Sequence, residues 1–188
     1  VSALMLASQL VRDPGDRVVE VTPLWPNLVE IPKILSAQVR CVSLRFSPGG
    51  WQLDLDELLA ALEPGTRALY INSPNNPTGW TLTRDEQQAI LEHCRRLGIW
   101  IFADDAYERL YFGGDRTLAP SFLDIADDGD RLVSTNTFSK SWLMTGWRLG
   151  WMVVPETLTA DLGKLIEYNT SCAPGFVQQA GIVAVRDG

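Results

Sequence analysis

Six short apolar runs, separated by stretches of helical periodicity, restrict the fold of this chain more than any other feature. RVVEV (17–21), QVRCVSL (38–44), RALYIN (67–72), IWIFA (99–103), RLVSTNTF (131–138) and LGWMVV (149–154) read as buried strands, because each is almost continuously apolar. The clearest helix between them is TRDEQQAILEHCRRLG (83–98). Thr83 can cap its start, Glu86 completes a capping box, Gly98 ends it, and Ala89, Ile90, Cys94 and Leu97 share one face. DLDELLAALEPG (54–65) reads as a second helix, stopped by Pro64 and Gly65. Residues 1–11, 27–37, 156–168 and 174–186 have weaker helical patterns, the second interrupted by Pro32.

This alternation predicts an α/β fold: a mostly parallel sheet sandwiched by helices. Only about ten residues separate the last two strands, too few for the usual crossover helix, so that pair is expected to be antiparallel. Ligands of such sheets bind at the carboxyl ends of the strands. Chemistry is therefore to be sought just after each apolar run.

With 188 residues the chain can build one sizeable core, and one domain is the expectation. A net charge of −7 argues against a nucleic-acid surface. No apolar run approaches the roughly 20 residues that cross a bilayer, and VSALMLASQL lacks the basic start of a secretory signal. Cys41, Cys94 and Cys172 are widely spaced, form no C-x-x-C and read as small buried apolar residues; a reducing, cytoplasmic setting fits them. His93, the single histidine, lies mid-helix, so neither a histidine metal site nor a Ser-His-Asp triad is supported. No G-x-G-x-x-G or Walker sequence occurs. The chain opens on Val and closes on VRDG, which suggests a piece of a longer protein.

After RVVEV comes TPLWPN, after RALYIN comes SPNNPTG, after IWIFA comes DDAY, and after RLVSTNTF comes SKSWLMTGWR. Each has a plain reading by itself: a proline turn, an acidic helix start, a core tryptophan, a snorkelling lysine. Plain readings give no reason for all of them to fall at strand carboxyl ends. Lys140 sits in TFSKSWLMTGWRLG (137–150), a stretch whose composition otherwise suits burial, where a cationic amine is costly. A lysine able to act as a nucleophile, a carboxylate, a phenol, an amide, hydroxyls beside an arginine and a flat aromatic surface together match a phosphorylated aromatic aldehyde, pyridoxal phosphate.

The S-P-N-N-P-T-G run at 73–79, the D-D-A-Y run at 104–107 and the T-F-S-K-S run at 137–141, with an arginine eight residues after its lysine, resemble the class I/II (fold-type I) aminotransferases dependent on pyridoxal phosphate. Order and spacing follow that family across essentially the whole chain. The resemblance implies that residues 1–188 are its large cofactor-binding domain, incomplete, with the N-terminal arm and C-terminal small domain missing. A glycine-containing phosphate turn is expected before Val1, and the arginine for the substrate carboxylate beyond Gly188.

The resemblance also implies roles. Lys140 would form the internal aldimine and serve as the proton-transferring base. Asp104 would hold the pyridine nitrogen protonated, with Asp105 pointing the other way by strand alternation. Tyr107 and Asn76 would donate to the phenolic oxygen O3′, Trp25 would stack on the ring, and Thr137, Ser139 and Arg148 would bind the phosphate. The implied reaction is transamination between an amino acid and a 2-oxo acid. Alternatives are a lyase or decarboxylase on the same fold, or an aminotransferase-like sensor domain of a transcription regulator. A homodimer is implied, with YNTSCAPGF (168–176) as a candidate partner-facing loop. Trp80, Trp142, Trp147 and Trp151 read as packing.

Overall fold

The computed structural model describes residues 1–113 and 117–188. The chain opens with α1 (Ser2–Val11), β1 (Arg17–Thr22), α2 (Pro26–Ile34) and β2 (Gln38–Ser43). A hairpin of β3 (Arg45–Ser47) and β4 (Gly50–Gln52) leads to α3 (Leu55–Ala61), β5 (Thr66–Asn72), α4 (Arg84–Leu97) and β6 (Trp100–Asp104). The remainder is β7 (Leu132–Thr137), the one-turn α5 (Phe138–Ser141), β8 (Gly150–Val153), α6 (Glu156–Asn169) and α7 (Gly175–Asp187).

All six anticipated strands join one sheet in the order β2-β1-β5-β6-β7-β8. Every pairing is parallel except β7 with β8, as the short connection required. The central strands are apolar on both faces because both faces are covered. On one face Val18, Ala68, Tyr70, Phe102 and Val133 pack against α1 and α2, through Leu4, Ala7, Leu28 and Ile31. On the other, Val19, Leu69, Ile71, Ile101 and Ala103 meet α3 and α4, through Leu58, Ile90, Leu91 and Cys94.

The best-signalled helix forms as expected. Thr83 and Glu86 make a reciprocal capping box, and Gly98 ends α4 in a left-handed conformation (φ 68°) that glycine adopts without strain. Its buried face is Gln87, Ile90, Leu91 and Cys94 rather than the anticipated set; Gln87 tolerates burial because its side-chain amide donates to Pro120 O at 2.9 Å. His93 likewise satisfies a backbone group, contacting Leu62 O at 2.9 Å.

Further expectations need correction. Pro32 does not break α2, which runs on to Ile34; its ring falls in the last turn of a short helix. Cys41 and Cys172 are exposed, and only Cys94 is buried. Cys41 lies on β2, which is the sheet's edge strand. The stretch 137–150 is not buried throughout: Leu143 is 88% exposed and Trp147 44%, because the chain there forms a surface turn joining α5 to β8. Trp80 is core, as expected, and Trp142 and Trp151 form an aromatic cluster with Phe138, in which Trp151 meets the other two rings edge-on. Among the described residues no helix is long and apolar enough to cross a membrane.

Candidate active site

Register sets the floor of the site. Asn72, the last residue of β5, pairs with Asp104, the last of β6, and Asp104 pairs with Thr135 on β7. By strand parity the three side chains share the α1 face, each continuing the row that buries Tyr70, Phe102 and Val133. They line a cavity of about 270 Å³ at the carboxyl ends of the strands, beneath the start of α1.

Every residue singled out from the sequence borders this cavity: Trp25 at the start of α2, Asn76 after β5, Asp104 and Tyr107 after β6, and Thr137, Ser139, Lys140 and Arg148 after β7. Asn72, Thr135 and Asn136 also line it and were not anticipated, because as strand residues they read as sheet rather than site.

Each wall is held by local bonding. The turn at 73–80 is fastened by Asn75, whose carbonyl accepts from the Thr78 N–H (3.1 Å) and hydroxyl (2.7 Å), and whose amide donates to Pro23 O (3.2 Å). Asn72 bridges two walls, donating to Asp104 O at 2.8 Å and accepting from Asn76 N–H at 2.6 Å. The Asn76 amide in turn donates to the Tyr107 hydroxyl at 3.3 Å. The Lys140 ammonium lies 5.7 Å from the centre of the Tyr107 ring, within cation–π reach. Thr137 caps α5: its hydroxyl accepts from the Ser139 N–H at 3.1 Å and lies 3.0 Å from the Ser139 hydroxyl. Arg148, in the left-handed region (φ 53°), donates to Thr145 O at 2.5 Å, so its guanidinium is drawn back over the cavity rim.

Asp104 dominates the electrostatics. Burial raises its carboxyl to about 6, against a hydrogen bond from the Ala106 N–H (3.2 Å). Among the described residues no side-chain cation is ion-paired with it. A buried carboxylate in such a place suits a cationic ligand. Asp105 points beneath the sheet, as alternation predicts, where burial raises it to about 7 while bonds from Ser134 and Ser121 oppose the shift. Burial also raises Glu108, opposed by a hydrogen bond with Asn136.

The donor set suits a flat, phosphorylated, aromatic aldehyde. It offers an amine to react, a buried carboxylate for a ring N–H⁺, an amide and a phenol for an oxyanion, an aromatic wall, and hydroxyls with a guanidinium for the phosphate.

Comparison with known proteins agrees with this geometry. The sequence profile described as "Aminotransferase class I and II" matches residues 1–188. The arginine–pyruvate transaminase of Pseudomonas aeruginosa is 34% identical over 184 residues, which are 98% of this chain and 46% of that protein. An aspartate aminotransferase of Thermotoga maritima is 34% identical over 186 residues, 98% of this chain and 48% of the relative. A crystal structure of the Thermotoga maritima aspartate aminotransferase superposes with a TM-score of 0.90 at 31% identity, covering 99% of this chain and 48% of that one. That of an aromatic aminotransferase from Pyrococcus horikoshii gives 0.87 at 30%, covering 99% and 49%. This chain thus spans less than half the length of these relatives. Coverage of the whole chain at these identities, on the same fold, shows that it belongs to the class I and II aminotransferases, a family whose members use pyridoxal phosphate.

Proposed function

We propose that residues 1–188 form most of the large cofactor-binding domain of a pyridoxal phosphate-dependent aminotransferase, which moves an amino group between an amino acid and a 2-oxo acid. The observation that carries this reading is the convergence of Lys140, Asp104, Tyr107 and Asn76, from three separate strand ends, on one cavity. The relatives' names, arginine–pyruvate transaminase and aspartate and aromatic aminotransferases, favour transamination over elimination or decarboxylation.

When bound, pyridoxal phosphate supplies a ring that takes up the electrons left by a departing substrate proton. Asp104 holds a proton on the pyridine nitrogen, a task suited to a carboxylate whose burial penalty is relieved by a cation. The Tyr107 hydroxyl and Asn76 amide, already hydrogen-bonded to each other, present donors to the phenolic oxygen. Trp25 supplies the flat wall that stacks on the ring. The Thr137 and Ser139 hydroxyls and the Arg148 guanidinium, which donates to Thr145 O at the cavity rim, would hold the phosphate. Lys140 would hold the cofactor through its Nζ, and the same amine is the group placed to accept a proton from the substrate Cα.

The whole protein is read as a cytoplasmic homodimer. The free thiols of Cys41, Cys94 and Cys172 support a reducing compartment. Exposed Tyr168 (81%) and Phe176 (73%), which flank the 168–176 loop, support a partner-facing surface.

Borohydride reduction of the pyridoxal phosphate-loaded protein, followed by peptide mapping, tests the assignment. The label is expected on Lys140. Label on Lys33 or Lys164, which sit in exposed ion pairs with Glu30 and Asp161, or none at all, overturns it.

A further inference from the structure

The first residue of the turn after β6 carries a carboxylate that the chemistry above does not use. Asp105 is only 4% exposed and lies on the α4 side of the sheet, opposite Asp104. An apolar residue would fill that place without the cost of burying an acid, so the carboxyl must return something for its desolvation.

Its bonds show what it returns. The Asp105 carboxylate accepts from the Ser134 hydroxyl on β7 at 2.6 Å and from the Ser121 hydroxyl at 3.3 Å. Its own N–H donates to Thr135 O at 2.9 Å, extending the β6–β7 ladder one residue past the end of the strand. The segment carrying Ser121 is itself fixed to α4: Arg84 donates to Ser121 O at 2.9 Å and Gln87 to Pro120 O at 2.9 Å. Further along the turn, Glu108 O accepts from the Ala119 N–H at 2.8 Å. Asp104 closes β6 immediately before a four-residue turn, 105–108, that carries Tyr107; the turn is anchored at both ends, and Asp105 is the anchor next to Asp104.

We infer that Asp105 is a positioning residue: clamped by Ser134 and Ser121 beneath the sheet, it fixes the backbone that presents Asp104 and Tyr107 to the pyridoxal phosphate on the other side. This rests on the cofactor reading above. The role is geometric, so it asks for an acceptor at this place rather than a charge. Asp104 and Glu108 are the ionisable neighbours that act on Asp105, and both disfavour its charge.

The test uses the full-length, cofactor-loaded protein and three variants, Asp105→Asn, Asp105→Ala and Ser134→Ala. Measured are the dissociation constant for pyridoxal phosphate by fluorescence titration, kcat and KM, and the thermal midpoint of the cofactor-free protein. Displacing Asp104 and Tyr107 by a fraction of an ångström in Asp105→Ala should weaken cofactor binding and lower kcat by about tenfold to a hundredfold, measured well below the thermal midpoint. Asp105→Asn, which keeps an acceptor for Ser134, should stay within about threefold of the parent, and Ser134→Ala should fall between. If Asp105→Ala lowers only the thermal midpoint and leaves the dissociation constant and kcat unchanged, the residue is structural and the inference fails. If Asp105→Ala does not fold, Ser134→Ala decides by the same two readouts. If Asp105→Asn is as impaired as Asp105→Ala, the clamp is not geometric and the inference also fails. A parent protein that takes up no pyridoxal phosphate would instead refute the cofactor reading.

Discussion

Asp104→Asn should make the cofactor-free protein more stable and the enzyme worse. The substitution keeps the shape of the side chain and an acceptor for the Ala106 N–H, and removes only the ability to ionise. Burial raises the folded-state carboxyl from 3.8 to about 6. Between those values the folded chain keeps a proton that the unfolded chain has released, so stability falls as pH rises and the loss is complete above about 6. A shift of about two units, at about 1.4 kcal/mol each, amounts to about 3 kcal/mol. Urea unfolding of the cofactor-free parent and variant at pH 4 and at pH 7.5 reads this quantity, because contributions from groups that do not interact with Asp104 cancel in the difference between the two proteins; its neighbour Asp105 does interact. The difference should grow in favour of the variant by about 2 kcal/mol between the two pH values, since part of the about 3 kcal/mol is already lost at pH 4, above the unfolded value of 3.8. Cofactor affinity should move oppositely: a neutral amide cannot balance a pyridinium N–H⁺, and the dissociation constant for pyridoxal phosphate should rise about tenfold or more. A stability difference that is flat with pH would refute the claim that burial raises this carboxyl. A variant that binds the cofactor as tightly as the parent would refute its pairing with the ring nitrogen.

Two further outcomes concern elements around the site. A Cβ on Gly150 would lie 2.5 Å from Asn136 O across the β7–β8 ladder, so Gly150→Ala must push the strands apart; thermal denaturation should show a loss of about 1–3 kcal/mol, and an unchanged midpoint would refute the close approach. Glu20 and Arg12 are both buried, and among the described residues neither carboxylate oxygen of Glu20 finds a hydrogen-bond partner. Burial raises Glu20 from 4.5 to about 8, so its contribution to stability should decline as pH rises through that window. Unfolding of Glu20→Gln against the parent across that range should show the difference moving steadily toward the variant, and a constant difference would sink the argument.

Much of this architecture could be read from the chain because its signals are local. Apolar runs marked the strands, and Thr83, Glu86 and Gly98 marked α4, since strand burial and helix capping need only neighbours a few residues apart. The β3–β4 hairpin escaped notice because each arm is three residues long, and Phe46, though tilted against Trp51 at 5.2 Å, is 72% exposed. Cys41 and the residues after Lys140 misled for one reason: their composition suits a core, but whether a core reaches them depends on strand order and turn placement, which are set by distant parts of the chain.

The same distinction explains why eight residues that border the cavity could be named from the sequence while Asn72, Thr135 and Asn136 could not. The eight carry side chains whose chemistry is informative wherever they fall. The other three acquire a role only through register, when β5, β6 and β7 align Asn72, Asp104 and Thr135 in one row. A slip of β6 by a single residue would exchange its two faces, sending Asp105 into the cavity and Asp104 beneath the sheet. That slip is opposed far from the site. It would drive Phe102 from the α1 face into the layer of Ile90 and Leu91, and bring Ile101 and Ala103 against Tyr70 and Val133. The Phe102 ring stacks on Tyr70 at 4.5 Å, and that contact would also be lost. The alternation of apolar residues in IWIFA, which looks like nothing more than core packing, is thus what decides which of two adjacent aspartates faces the cavity.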